Sequence, residues 1–148
     1  MPDRETLTRV HEDQREGKSP STQAGEFVRE EIHHVREGKH GARSAQQAIA
    51  IGLSKARRAG VKLRAPKGPV ALRNKVVQDA KAGKNRQSSG PKTSAKRSRA
   101  EEGALKREPR NTASHEALSR PAKKSAEKRG PQSRRKSALK AARTRRAA

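Results

Sequence analysis

Glu30, His33, His34, Glu37 and His40 are the residues of this chain whose types suggest metal chemistry. Their spacing reads more simply as helix surface. Glu30 with His34, and His33 with Glu37, are i,i+4 pairs of the kind that stabilise a helix face, and adjacent histidines on a helix point about 100° apart. No closed ligand set is visible, and the absence of cysteine excludes Cys-based zinc sites and disulfides. The sequence therefore assigns no metal and no cofactor. No dinucleotide-binding glycine pattern, P-loop, nucleophile elbow or paired-carboxylate cleft occurs, so catalysis is not expected.

The chemistry in plentiful supply is phosphate neutralisation. Lys and Arg number 38 against 15 Asp and Glu, a net charge of +23 over 148 residues. The excess is segregated: residues 1–41 hold 7 basic and 9 acidic side chains, residues 42–148 hold 31 and 6. A near-neutral head on a cationic remainder gives a directional electrostatic footprint, and nucleic acid is the matching partner, DNA ahead of RNA. Lys39, His40 and Arg43 precede a helix start whose free N–H groups would suit a phosphate, although the same residues fit an ordinary solvated loop. Lys55, Arg57 and Arg58 read either as contacts or as last-turn partners of the helix dipole. Lys62, Arg64 and Lys67 follow in a linker, and Lys123, Lys124, Arg134, Arg135, Lys136, Lys140, Arg143, Arg145 and Arg146 in the tail. Counterion release would make such binding tight and salt-sensitive. Base readout is not expected, because a disordered tail cannot pre-position side chains and there is no Tyr or Trp to stack on bases.

The elements that must position these residues centre on Ser21 to Val61. Ala45, Ala48, Ile49, Gly52, Leu53, Ala56 and Ala59 share one helical face, with a Ser44–Gln47 capping box before them and Gly60 after. Ala24, Phe27, Val28, Ile32 and Val35 define a preceding helix, with Ser21 or Thr22 as N-cap and Gly38 as C′ residue. The short connection Lys39–Arg43 folds the two into a hairpin whose core is Phe27, Val28, Ile32, Val35, Ile49, Leu53 and Ala56. That connection is longer than a helix-turn-helix allows. Glu31 points into the seam and needs a partner, Lys55 or Arg57. Ile51 lies off the apolar stripe, to be covered by a third helix or by a second copy in a homodimer.

On the run Ser44-Ala-Gln-Gln-Ala-Ile-Ala-Ile-Gly-Leu-Ser-Lys-Ala-Arg-Arg-Ala-Gly60, with Phe27-Val-Arg-Glu-Glu-Ile and Glu37-Gly-Lys-His-Gly41 before it, the chain resembles a family of small basic bacterial and viral proteins catalogued as a domain of unknown function. The likeness covers residues 21–61 and implies DNA binding at most.

The rest divides into a flexible segment 1–20, with a short frayed helix around Leu7 and Val10, a stretch 62–82 with a basic linker and a weak third helix from Pro69 to Ala82, and a tail 83–148. The tail holds 21 basic and 5 acidic residues. Its Ala- and Lys-rich segments Ser94–Arg107, Ser114–Arg129 and Ser133–Arg146 have good helix propensity, but charge repulsion and few apolar anchors predict disorder. In composition the tail resembles those of linker histones and bacterial histone-like proteins. With 28% hydrophobic residues and one Phe, little of the chain can be core. The expected fold is mostly α: a small helical hairpin, three-helix if the third packs, with a long disordered basic tail. The expected role is a cytoplasmic, nucleoid-associated, non-enzymatic DNA-binding or DNA-compacting protein. An RNA-associated protein, or an adaptor whose head holds a protein while the tail holds nucleic acid, are the alternatives. No stretch is long and apolar enough for a membrane span, so no membrane partner is expected.

Overall fold

A computed structural model describes residues 2–66, 68–84 and 94–147. Its helices are α1 (Arg4–Arg15), α2 (Pro20–Glu37), α3 (Ala45–Arg58), α4 (Val70–Lys84), α5 (Ala95–Arg107) and α6 (His115–Ala147), with a single 3-10 turn at Asn111–Ala113 before α6. Local chemistry sets several of these ends. Ser19, not Ser21 or Thr22, caps α2: its Oγ accepts from the Thr22 N–H, and Pro20 occupies the first helical position, where a missing N–H costs nothing. Gly38 ends the helix at φ 76°, a conformation that suits glycine. Ser44 caps α3 by accepting from the Gln47 N–H at 3.2 Å, while Gln47 Oε1 accepts from the Arg43 N–H at 2.7 Å, one residue before the usual partner.

The core lies in two clusters along the α2–α3 seam. Val10, Ala24, Phe27, Ala56 and Val61 form one, flanked by Leu7, Leu53, Ala59 and Leu63. Val35, Ala42, Ala48 and Ala113 form the other, with Ile32 against it. Of the expected core, Phe27, Val35 and Ala56 are buried, while Val28, Ile32, Ile49 and Leu53 are half-buried. The helices meet most closely at Gly52, where an added Cβ would lie 2.7 Å from Val28 Cα and 3.0 Å from the Phe27 carbonyl oxygen.

Segment 1–20, expected to be flexible with a short frayed helix, carries α1, which inserts Val10 into the first cluster, and Arg9 Nε donates to Glu26 Oε2 of α2 at 2.7 Å. Two apolar residues cannot hold a lone helix, but they suffice once α2 supplies the other half of the contact. The weak third helix packs on α3, one of the two outcomes the sequence left open. Val76 is buried, while Val70 and Val77 are 67% and 49% exposed. Asp79 does the fastening, accepting from Ser54 Oγ at 2.8 Å and from Arg58 Nε at 3.0 Å.

One expectation is overturned. The described residues are not a hairpin with a disordered tail but almost entirely helical, in α-helices between Arg4 and Ala147. Residues 85–93 and 148 of the expected tail lie outside the described residues. The tail is anchored where no apolar stripe announces it. Ala113 is fully buried in the second cluster, Thr112 Oγ1 donates to the Ala42 carbonyl at 3.0 Å, and Arg36 Nε donates to the Ala113 carbonyl at 2.9 Å. Ser114 then caps α6 by accepting from the Ala117 N–H at 3.2 Å. Gly130, at φ 71° and ψ 166°, breaks α6 into two halves. No helix among the described residues is long and apolar enough to cross a membrane.

Candidate nucleic-acid interface

The basic residues of the head and those of the tail sit in different surroundings. In the head, Lys55 is three-quarters buried, its Nζ 3.0 Å from Glu30 Oε1 and 2.7 Å from Glu31 Oε2. Burial disfavours the charged ammonium, but hydrogen bonds to Glu31 and Glu30 outweigh it and raise the Lys55 pKa above its ordinary value. Arg58 is bound to Asp79, and the Arg57 Nε is buried without a hydrogen-bond partner. His40 Nε2 lies 3.1 Å from Glu31 Oε1, and Lys39 Nζ lies 3.1 Å from Glu37 Oε2. The Asp3 carboxylate meets His34 Nε2 at 3.1 Å, and that hydrogen bond lowers its pKa.

The loop before α3, expected to cradle a phosphate, is covered by the chain itself. The Gly41 N–H donates to the Leu105 carbonyl at 2.8 Å and the Ala42 N–H to the Pro109 carbonyl at 3.3 Å. A side chain at Gly41 would run into the Glu108 backbone. Arg43 Nε lies 3.4 Å from Glu108 Oε1. An anion there would have to displace a carboxylate and two carbonyls. The linker residues Lys62 and Arg64 are exposed, and Lys67 lies outside the described residues.

The tail residues differ. Lys123, Lys124, Arg134, Arg135, Lys136, Lys140, Arg143, Arg145 and Arg146 all belong to α6 and all are exposed. The proximal half of α6 mixes signs, as in the Arg120–Glu116 pair at 2.6 Å. The distal half, residues 131–147, carries seven basic and no acidic residues over 17 positions, a rod of about 25 Å at 1.5 Å per residue. At 100° per residue these seven fall on three sides of the rod, Arg134 with Arg145, Arg135 with Arg146, and Lys136 with Lys140 and Arg143. Such a rod meets phosphates from several directions and offers no single face aimed at base edges.

Sequence reasoning missed Glu108, Thr112 and Ala113, which seat the tail on the head. Pro109 and Ser114 marked a helix boundary, but nothing local distinguishes Ala113 from the other alanines of the tail. It likewise missed Asp79 as the fastener of α4. The structure also brings the His34 and His40 rings to 6.0 Å between centroids, edge to face. No protein family, curated protein or solved structure matches the chain, so its resemblance to the small basic family rests on the residues quoted for it alone.

Proposed function

We propose that the protein binds duplex nucleic acid, DNA ahead of RNA, without catalysing a reaction and largely without sequence preference. The observation that carries this reading is the distal half of α6, where seven exposed cations stand on 17 residues without one carboxylate. A helix already formed avoids part of the ordering cost that a disordered arm would meet on binding. The distribution of cations around the rod favours contact with backbone phosphates over base edges, and phosphate contact is sequence-independent. The paired cations of the head, Lys55 and Arg58, are left out of this interface. The head's role in it is to hold α6 through Ala113.

Seven phosphate contacts correspond to a slope of about −6 in log affinity against log salt. Replacing the seven distal basic residues by Gln keeps helix propensity and removes the charge. The expected result, by fluorescence anisotropy on duplex DNA, is a flattened salt slope and weakening on the order of 10⁴-fold at low salt. An unchanged slope would refute the reading. Tighter binding to duplex RNA than to DNA at equal salt would reassign the partner.

A further inference from the structure

His40 stands in the turn after α2 with its ring four-fifths buried. Its Nδ1 lies 3.1 Å from the Gly41 carbonyl oxygen. A carbonyl only accepts, so Nδ1 carries a proton, and in the neutral imidazole Nε2 presents a lone pair. That lone pair faces Glu31 Oε1 at 3.1 Å, on a side chain 1% exposed. Nε2 and Glu31 Oε1 thus converge on one point, where a single positive centre can be shared between them. Lys55 does not supply it, because its ammonium sits on the other carboxylate oxygen, Glu31 Oε2, and on Glu30.

His34 lies one turn beyond Glu31 on α2, and one donor atom each from Glu31, His34 and His40 falls within 4.8 Å of the others. His34 already directs Nε2 to Asp3 Oδ2 at 3.1 Å, which leaves Nδ1 as its lone-pair nitrogen. A carboxylate behind the imidazole is the usual outer support of a metal-bound histidine.

We propose that Glu31, His34 and His40 form a binding site for a zinc-class dication. Tetrahedral zinc, with bonds of about 2.0–2.1 Å, sets its ligands about 3.4 Å apart. The Glu31–His40 pair at 3.1 Å is close to that separation, and the His34 donor stands within 4.8 Å of both. Two imidazoles with a carboxylate suit zinc over magnesium or calcium, which take oxygen donors. This site is independent of nucleic-acid binding.

The test is calorimetric titration of the full chain with zinc chloride alone. One equivalent should bind the wild type, and His40→Asn should weaken it by more than the roughly 10- to 100-fold that loss of an outer partner costs. His33→Gln, at an exposed position, should leave it unchanged. In the wild type, imidazole ¹⁵N spectra should show His34 and His40 shifting with zinc while His33 stays, a readout that stands even if the variant fails to fold. No bound equivalent, or equal shifts of all histidines, would overturn the proposal and leave His40 as a hydrogen-bond partner of Glu31.

Discussion

Lys55 in the head and Arg135 in α6 carry the same charge in opposite circumstances. Lys55 is held within 3.0 Å of two carboxylates that are 2% and 1% exposed. Arg135 stands exposed in a 17-residue stretch without an acidic residue. A charge enclosed by partners serves the fold and is little affected by salt; a charge facing water repels its neighbours until something polyanionic arrives. The comparison teaches that positive charge in this chain stands in two settings, and that enclosure by carboxylates, not residue type, separates them.

The strongest way to break the comparison is Lys55→Met. Removing one member of a buried ion pair leaves Glu30 and Glu31 uncompensated, which typically costs about 3–5 kcal/mol. The lower end is expected, because Lys55 is about a quarter exposed and solvent screens part of the interaction. Thermal unfolding should report this loss at low and at high salt alike. The pH dependence has a definite sign. A folded-state pKa raised above 10.5 means that the Lys55 contribution is complete below 10.5 and disappears as pH rises through the folded value. The wild type should therefore lose more stability than the Met variant on passing into that alkaline range. The matched change in α6, Arg135→Met, should leave thermal stability within about 0.5 kcal/mol, as surface substitutions do. An equal loss in the two variants would abolish the distinction.

Next in size is Ala113→Asp, which drives a carboxylate into the second cluster beside Val35, Ala42 and Ala48. A buried polar group without partners costs about 1–3 kcal/mol by mutational measures, and more when charged. The expected consequence is release of the tail from the head: amide protection of Gly41 and Ala42, which donate to Leu105 and Pro109, should fall in hydrogen exchange. Protection around Phe27 should persist. Loss of protection throughout would mean that the tail anchor and the head core unfold as one unit.

Smaller still is Gly52→Ala. The added methyl meets Val28 Cα at 2.7 Å and the Phe27 carbonyl at 3.0 Å, and backbone cannot swing aside as a side chain can. Overpacking of this kind costs about 1–3 kcal/mol, offset in part by the better helix propensity of Ala. Denaturant unfolding measures the balance, and a stabilised variant would show that α2 and α3 can separate freely.

What was legible in the sequence follows the same division between local and distant causes. Gly38 and the Ser44–Gln47 cap are consequences of helical register within a few turns, and register can be read from spacing. The α1 contact and the Ala113 anchor join residues far apart in the chain, and an alanine carries no mark of the cavity that it will fill. The tail shows how two local rules compete. Its Ala, Lys and Arg content favours helix while its charge opposes collapse, and the expectation of disorder weighted repulsion over propensity. Helices α5 and α6 resolve the conflict by keeping their basic side chains exposed, so little desolvation is required. The spacing of Glu30, His33, His34 and Glu37 reads as helix-surface pairs; His40 lies in the turn after α2, where helical spacing no longer says what it faces.

The smallest expected effect belongs to Ile51, which the helical wheel sets off the apolar stripe of α3. It is half-buried and lines, with Ala50, Leu72, Val76 and Leu105, an open groove beside α4. Because the groove is open, a longer polar side chain can reach water from it, so Ile51→Lys removes some apolar contact without burying a charge. At about 25 cal/mol per Å² of apolar area, a half-buried Ile contributes on the order of 1 kcal/mol. If Val76 and Leu72 within the same chain are what cover it, the melting temperature should fall by a few degrees at every protein concentration, since about 1 kcal/mol corresponds to roughly 2–4 °C in a chain of this size. A second copy covering the groove would instead make the shift grow with concentration, because dissociation is then part of the transition. An intramolecular contact extends the head's self-contained packing to α4; a concentration-dependent shift would make Ile51 the place where the head, like α6, is built to meet another molecule.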